Sequence, residues 1–169
     1  MMRQAGRYLP EYRAVRKSVK DFMSLCKNPK LACEVTLQPI SRFDMSAAII
    51  FSDILVIPHA LGQKVTFVKG EGPKLEAITD DKAINVLDIS KLEEFLHPVY
   101  QAIRLTRSEL ASDKALIGFC GAPWTLACYM IQGSGSKDFA DVRMFAQRQP
   151  AAFTKILSIL IEAVAIHAI

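Results

Sequence analysis

Little in this sequence invites metal or redox chemistry. Its four cysteines, Cys26, Cys33, Cys120 and Cys128, match no Cys-x-x-Cys spacing, and its three histidines, His59, His97 and His167, form no His-x-x-x-His pair. A metal site within this stretch is therefore not expected, nor a paired redox dithiol. No secretory pattern is read at the N-terminus, so the cysteines are expected to be reduced core residues of a cytosolic protein. A phosphate-cradling glycine loop is missing too, because Gly70-Glu-Gly-Pro73 is followed by no Lys-Ser/Thr pair and opens no helix. Nor does any apolar run read as a membrane span. The most apolar region, Ile156 to Ile169, falls short of the ~20 residues a span needs and is interrupted by Ser158 and Glu162.

What is present supports a folded α/β domain. With 51% hydrophobic residues among 169, the chain can bury a real core, and residues 1–169 are read as a single domain. Its charge is uneven. Residues 1–20 carry six basic side chains against Glu11 alone, a net +5, while the remainder carries 15 bases against 16 acids, a net −1. So short a basic element calls for a compact polyanion, since nucleic acid and membrane surfaces more often meet bases spread over several elements.

That charge lies in Arg3-Gln-Ala-Gly-Arg-Tyr-Leu-Pro-Glu-Tyr-Arg-Ala-Val-Arg16. Gly6 allows close backbone approach to a ligand, Pro10 interrupts any helix, and a short helix is expected from about Glu11. A planar guanidinium grips a carboxylate or phosphate with two prongs, which lysine cannot do. A solvated basic face or an RNA-contacting arm is the competing reading of the same residues.

A single acid stands out against the apolar stretch Met45 to Ile57. That run, rich in Ile and Val and closed by Pro58, fits a strand buried on both faces as in parallel sheets, and Asp53 interrupts it. Strand ends of such sheets open onto active sites, so Asp53 reads as functional; an Asp that caps the next turn or pairs with an arginine is the alternative. Around it the pattern predicts a helix over Lys30 to Phe43, a strand over Lys64 to Val68 and a loop at Gly70 to Pro73. A helix from an N-cap at Ser90 to Ser112 and a second buried strand over Leu116 to Phe119 follow. Pro123 suits the first position of a helix Trp124 to Gln132, and strand, glycine turn and helix N-terminus in that order make an anion-friendly corner. Gly133-Ser-Gly-Ser136 is either a mobile loop or a turn that approaches ligand. Helices at about Asp138 to Arg148 and from Pro150 complete a parallel α/β order.

Three stretches together carry a resemblance. Met2 to Arg13, Ile49-Ile-Phe-Ser-Asp-Ile-Leu55, and Gly118-Phe-Cys-Gly-Ala-Pro-Trp-Thr-Leu-Ala-Cys-Tyr-Met130 with Gly133 to Ser136 behind it resemble the uroporphyrinogen decarboxylase family along the whole chain. The resemblance implies a (β/α)8 TIM barrel of which this is an N-terminal portion. It implies a cytoplasmic homodimer that decarboxylates the tetrapyrrole polycarboxylate uroporphyrinogen with no metal or organic cofactor, and with neither nucleic acid nor membrane as partner. Position by position, it implies that Arg3, Gln4, Ala5, Gly6 and Arg7 form a substrate loop. It further implies that Arg16 adds a carboxylate contact, that Asp53 faces the pyrrole nitrogens, that Tyr129 stands beside it, and that Arg3 is a candidate proton donor. From the residues alone, Tyr129 reads instead as an ordinary amphipathic helix residue with its hydroxyl at the surface.

Two other classes stay in view. Cobalamin- or thiol-dependent methyltransferases share the barrel and carry a zinc site later in the chain, but the arginine loop matches the decarboxylases. A basic binding module would show strongly salt-dependent RNA binding. Because the helical pattern at Ile169 has no stop signal, the sequence is expected to belong to a longer protein.

Overall fold

A computed structural model of the chain describes residues 6–68 and 70–169. In order, the elements are α1 Pro10–Ser18, α2 Phe22–Cys26, α3 Pro29–Arg42, β1 Ala47–Ile49, α4 Val56–Ala60, β2 Val65–Val68 and β3 Gly72–Leu75. They continue with α5 Asp81–Asn85, α6 Leu92–Glu109, β4 Ala115–Ile117, α7 Pro123–Gln132, α8 Ala140–Arg148 and α9 Pro150–Ala168. The chain divides into two compact units: one holds residues up to Asp53 together with Leu96–Phe119, the other Ile54–Phe95 and Cys120–Ile169.

The first unit is built on α3. Asn28 caps it by accepting from Leu31 N at 3.1 Å, and Pro29 takes a first-turn position where its missing N–H costs nothing. Its buried face carries Ala32, Cys33, Val35, Thr36 and Pro39, and α1, α2 and β1 pack against it. Pro39 lies inside the helix, and its ring is the neighbour of Gly6. A Cβ at Gly6, whose φ is +60°, would come within 2.8 Å of Pro39 Cγ. The glycine thus serves chain packing at a left-handed turn.

β1 and β4 pair in parallel with Ala48 opposite Leu116, and Ile50 N extends the ladder by donating to Ile117 O at 2.9 Å. The parallel pairing bears out the α/β reading, but the strand expected over Met45 to Ile57 is only three residues long. At Phe51 the backbone N–H leaves the ladder and donates to Thr36 Oγ1 at 2.8 Å. From Val56 the same apolar run is helical, with Pro58 inside α4 and not beyond a strand. A short apolar run looks alike in both structures, and a proline in a helix's first turn removes a donor that has no partner there. β4 also differs from the buried strand expected at Leu116 to Phe119: Ala115, Ile117 and Phe119 are exposed. Among the described residues β4 has one paired neighbour, β1, so an apolar strand lies at an edge.

In the second unit β2 and β3 form an antiparallel hairpin with Val65 opposite Leu75. The loop expected at Gly70 to Pro73 therefore belongs partly to a strand. Gly72 adopts φ +82°, open to glycine at no steric cost, which let the strand escape notice. Gln63 is buried and donates through Nε2 to Glu76 O at 2.6 Å and to Met130 O at 3.2 Å, tying the segment after β3 to α7. Ser90 does not cap α6: its N–H and hydroxyl both donate to Asp88 Oδ1, and the helix starts at Leu92. α7 begins at Pro123 as expected. α9, from Pro150, buries Ala152, Ile156, Leu160 and Ala163 and packs on α7, α8 and α5.

α9 corrects one expectation. It has 19 residues with a mean hydropathy of 1.6, enough by length and composition to cross a membrane, because the apolar stretch begins six residues before Ile156. A core helix packed inside a protein passes the same test.

Gly133 ends α7 in the left-handed region at φ +75°, and a Cβ there would meet Leu75 O at 3.0 Å and Ala77 Cβ at 3.2 Å. Gly133→Ala should therefore cost about 1–2 kcal/mol in urea denaturation. An unchanged midpoint would show that the helix end relaxes freely.

Candidate active site

Three of the residues expected at the site, Arg7, Arg16 and Asp53, lie in the first unit, which also holds an aromatic cluster. The Phe51 ring lies two residues before Asp53, and Phe22 meets its edge at 5.7 Å while Tyr12 lies tilted at 5.8 Å. Arg7 is exposed, yet its Cζ sits 4.9 Å from the centre of the Phe22 ring and 5.9 Å from that of Phe51. Such stacking contributes roughly 0.5–2 kcal/mol. The in-plane N–H donors of a guanidinium suit a planar carboxylate.

The one acid among residues 1–20 is drawn off elsewhere. Arg42 Nη2 lies 2.6 Å from Glu11 Oε1 and Arg42 Nε 3.1 Å from the same oxygen. This exposed pair contributes little stability, but it leaves Arg7 and Arg16 without Glu11 as a counter-charge. Among the described residues neither Arg7 nor Arg16 forms an ion pair.

Cys26 reports who its neighbours are. Burial pushes its thiol up to about 12, the Asp53 carboxylate pushes the same way, and Arg7 and Arg16 oppose them. Arg7, Arg16 and Asp53 are thus within electrostatic reach of one buried atom, and the structure brings these three expected residues together. Tyr12 is buried in the same place: desolvation raises its phenol, with Arg7 and Arg16 pulling it back.

Arg3, Gln4 and Ala5 lie outside the described residues. Gly6 is buried, and its lack of a side chain is used against Pro39. Tyr129 stands on α7 in the second unit, half-buried, with the Phe139 ring at 6.2 Å and the Cβ direction of Gly135 at 3.9 Å from its hydroxyl. Phe139 holds a left-handed backbone at φ +49°, a strain of about 1–3 kcal/mol for a non-glycine residue, with Ser136 Oγ accepting from its N–H at 3.2 Å. The Gly133 to Ser136 segment is therefore a helix stop and a bridge to β3, where Ser134 pairs with Lys74. The anion-friendly corner at α7 has a packing explanation too. A Cβ at Gly121 would lie 2.6 Å from Leu126 Cδ2.

Sequence reading missed Tyr12, Phe22, Cys26 and Phe51. Two of them carried a signal: Phe51 shares an extended face with Asp53 at i, i+2, and Tyr12 shares a helix face with Arg16 at i, i+4. Phe22 and Cys26 lie in α2, five residues long and too short to show a period. A groove of about 760 Å3 among α1, α3 and α6, lined by Glu11, Cys33, Arg42 and Glu109, contains none of the expected residues.

The family model of uroporphyrinogen decarboxylase (URO-D) matches residues 1–169. A uroporphyrinogen decarboxylase of Chelativorans sp. (strain BNC1) is 55% identical over 157 residues, covering 93% of this chain and 46% of its own length. One of Nitrosococcus oceani is 52% identical over 168 residues, covering 99% of this chain and 47% of its own length. The chain spans about half the length of these relatives. Among solved structures, a methyltransferase from Methanosarcina mazei superposes with a TM-score of 0.71 over 92% of this chain and 46% of its own, at 18% identity. At that identity the likeness concerns the fold alone. Together these matches place the chain in the (β/α)8 barrel class that the sequence resemblance implied.

One expectation about the cysteines needs correction, because Cys120 is exposed while Cys26, Cys33 and Cys128 are buried. All four are free, and burial raises each of the three buried thiols. Iodoacetamide at neutral pH should therefore modify Cys120 in the native protein and spare Cys26 until denaturant is added, as peptide mass mapping would read. The thiol of Cys26 is ordinarily lost near 9.0 and is held to about 12 in the fold. The unfolded chain thus releases its proton first, so this group's contribution to stability is present below about pH 9 and falls as pH rises above it. Native labelling of Cys26 at the rate of Cys120 would contradict its burial.

Proposed function

The chain belongs to the uroporphyrinogen decarboxylase family, and from that premise we propose that the whole protein converts uroporphyrinogen III to coproporphyrinogen III. It acts as a carboxy-lyase in haem biosynthesis, removing four acetate carboxyls. The observation that carries the reading is the gathering of Arg7, Arg16 and Asp53 about Cys26 in one unit. Two cations with their local acid tied off fit a polycarboxylate's rim. One carboxylate fits the pyrrole N–H groups at its centre.

The chemistry explains why that pairing suffices. Loss of CO2 from a pyrrole acetate leaves an electron pair on the methylene carbon, and without a sink that pair is too costly. Protonating a ring carbon first makes the pyrrole cationic, so the C–C bond electrons flow into the ring as CO2 departs. A proton then reaches the exocyclic carbon and the ring proton is returned, so that each acetate has exchanged CO2 for one proton and become a methyl. Asp53 stabilises positive charge that grows only on the way to the transition state, which is the kind of interaction that speeds a reaction. An arginine on the departing carboxylate would steady the ground state instead, so Arg7 and Arg16 are assigned to positioning.

Arg3, Gln4, Ala5, Gly6 and Tyr129 are assigned to substrate contact on the resemblance. A guanidinium at Arg3 would be a poor proton donor at the ordinary pKa of arginine. The family's usual setting, a cytosolic homodimer, is part of the same proposal.

In a protein of the relatives' full length, Asp53→Asn should lower kcat about 100-fold or more, the scale seen when one transition-state electrostatic contact is lost, with KM little changed. Near-normal turnover sinks the assignment. Arg7→Ala should raise KM about tenfold while kcat holds, since a hydrogen bond to a charged group is worth roughly 1.5–3 kcal/mol. An unchanged KM would place Arg7 outside the pocket.

A further inference from the structure

We infer that Tyr12 completes a carboxylate seat with Arg7 and Arg16, its phenol donating to one substrate carboxylate that both guanidiniums hold. This rests on the polycarboxylate reading above and adds to it a residue and a geometry.

Three observations lead there. Tyr12 and Arg7 share one support, the Phe51 ring, at 5.8 Å and 5.9 Å from its centre. Arg16 follows Tyr12 by four residues on α1, so both side chains leave the same helix face. Tyr12 is 7% exposed, yet its hydroxyl makes no hydrogen bond to any described residue. That oxygen is not shut off from solvent, and beside two arginines that form no ion pair among the described residues it is placed to donate to a ligand that accepts.

The chemistry fixes what kind. Arg7 and Arg16 both act on the phenol electrostatically, which places their positive charge near its oxygen. Cations near that oxygen attract its lone pairs and turn its O–H away from them, toward an anion that the same cations attract. A carboxylate suits all three donors: two oxygens offer about four lone-pair positions, enough for two guanidinium contacts and one phenol. Selectivity follows as well. An ester or amide at that position would keep an acceptor for the phenol but lose the charge that draws both arginines.

The test uses steady-state kinetics of uroporphyrinogen decarboxylation by the full-length protein. Tyr12→Phe keeps the ring on Phe51 and removes only the hydroxyl, and Tyr12→Leu removes both. KM for Tyr12→Phe should rise about tenfold, the scale of a hydrogen bond to a charged group, with kcat within about twofold by the same reasoning that ground-state contacts leave turnover intact. Combining Tyr12→Phe with Arg16→Ala should raise KM by less than the product of the separate effects, because both act on one carboxylate. A normal KM for Tyr12→Phe with a raised KM for Tyr12→Leu would reduce Tyr12 to a packing residue and overturn the inference while leaving the proposed function standing. No decarboxylation by the unmodified protein would overturn the proposed function, and this inference with it.

Discussion

The hydrogen bond from the Phe51 amide to Thr36 Oγ1 is the constraint on which the candidate site depends. A parallel ladder running on past Ile50 would hold Phe51 and Asp53 in register with β4. Instead Thr36, whose hydroxyl donates to Ala32 O at 2.6 Å and accepts from Phe51 N at 2.8 Å, draws the strand end onto α3. The backbone donor stays satisfied in a buried place where leaving it unpaired would cost about 1–3 kcal/mol. Phe51 then presents its ring to Phe22 and Tyr12, and Asp53 follows two residues later beside Cys26.

Charge is placed with the same economy. Arg42 on α3 removes Glu11 from the neighbourhood of Arg7 and Arg16. Arg7 is then steadied by rings, with no carboxylate paired to it among the described residues. An aromatic support orients a guanidinium without competing for its in-plane donors, whereas an ion pair would have to be broken before substrate could bind. In the second unit, rigidity comes from backbone groups. Gln63 bridges Glu76 and Met130, Leu75 N donates to Gly133 O at 2.8 Å, and Ile78 N to Met130 O at 2.9 Å, so the C-terminal end of the helix carrying Tyr129 is tied down.

The legible parts of the fold were those whose signal is local. Pro29, Pro123 and Pro150 each open a helix where the chain pattern placed one, and the parallel α/β order follows from elements with clear periods. The misread parts needed partners out of sequence. Apart from Ser52 and Asp53, Ile50 to Ile57 is apolar, so the Thr36 contact and the α4 turn decide where strand gives way to helix. Gly72 and Pro73 look like turn residues, yet pairing with Val68 and Phe67 makes them strand. At the site, Asp53 and the arginines stood out by being charged in unusual company. Tyr12 and Phe51 did not, because an aromatic in an apolar context resembles any core residue until its neighbours are known.

Burial grades across the candidate site, and that grading bears on how a carboxylate and two arginines near one buried thiol avoid cancelling. Cys26 lies in surroundings dry enough to hold its thiol proton to about 12, Asp53 is half-buried next to it, and Arg7 is exposed. Opposite charges ~4 Å apart attract by roughly 1 kcal/mol in bulk water but ~4 kcal/mol where the effective dielectric falls to about 20. On the proposed reading, a guanidinium at the wet end would pull only weakly on Asp53 before substrate arrives, while the drier end would let Asp53 act strongly on cationic character that forms against it. A polyanion seated on Arg7 and Arg16 would itself expel water. The same arrangement would then strengthen each contact at the moment the ring acquires its charge.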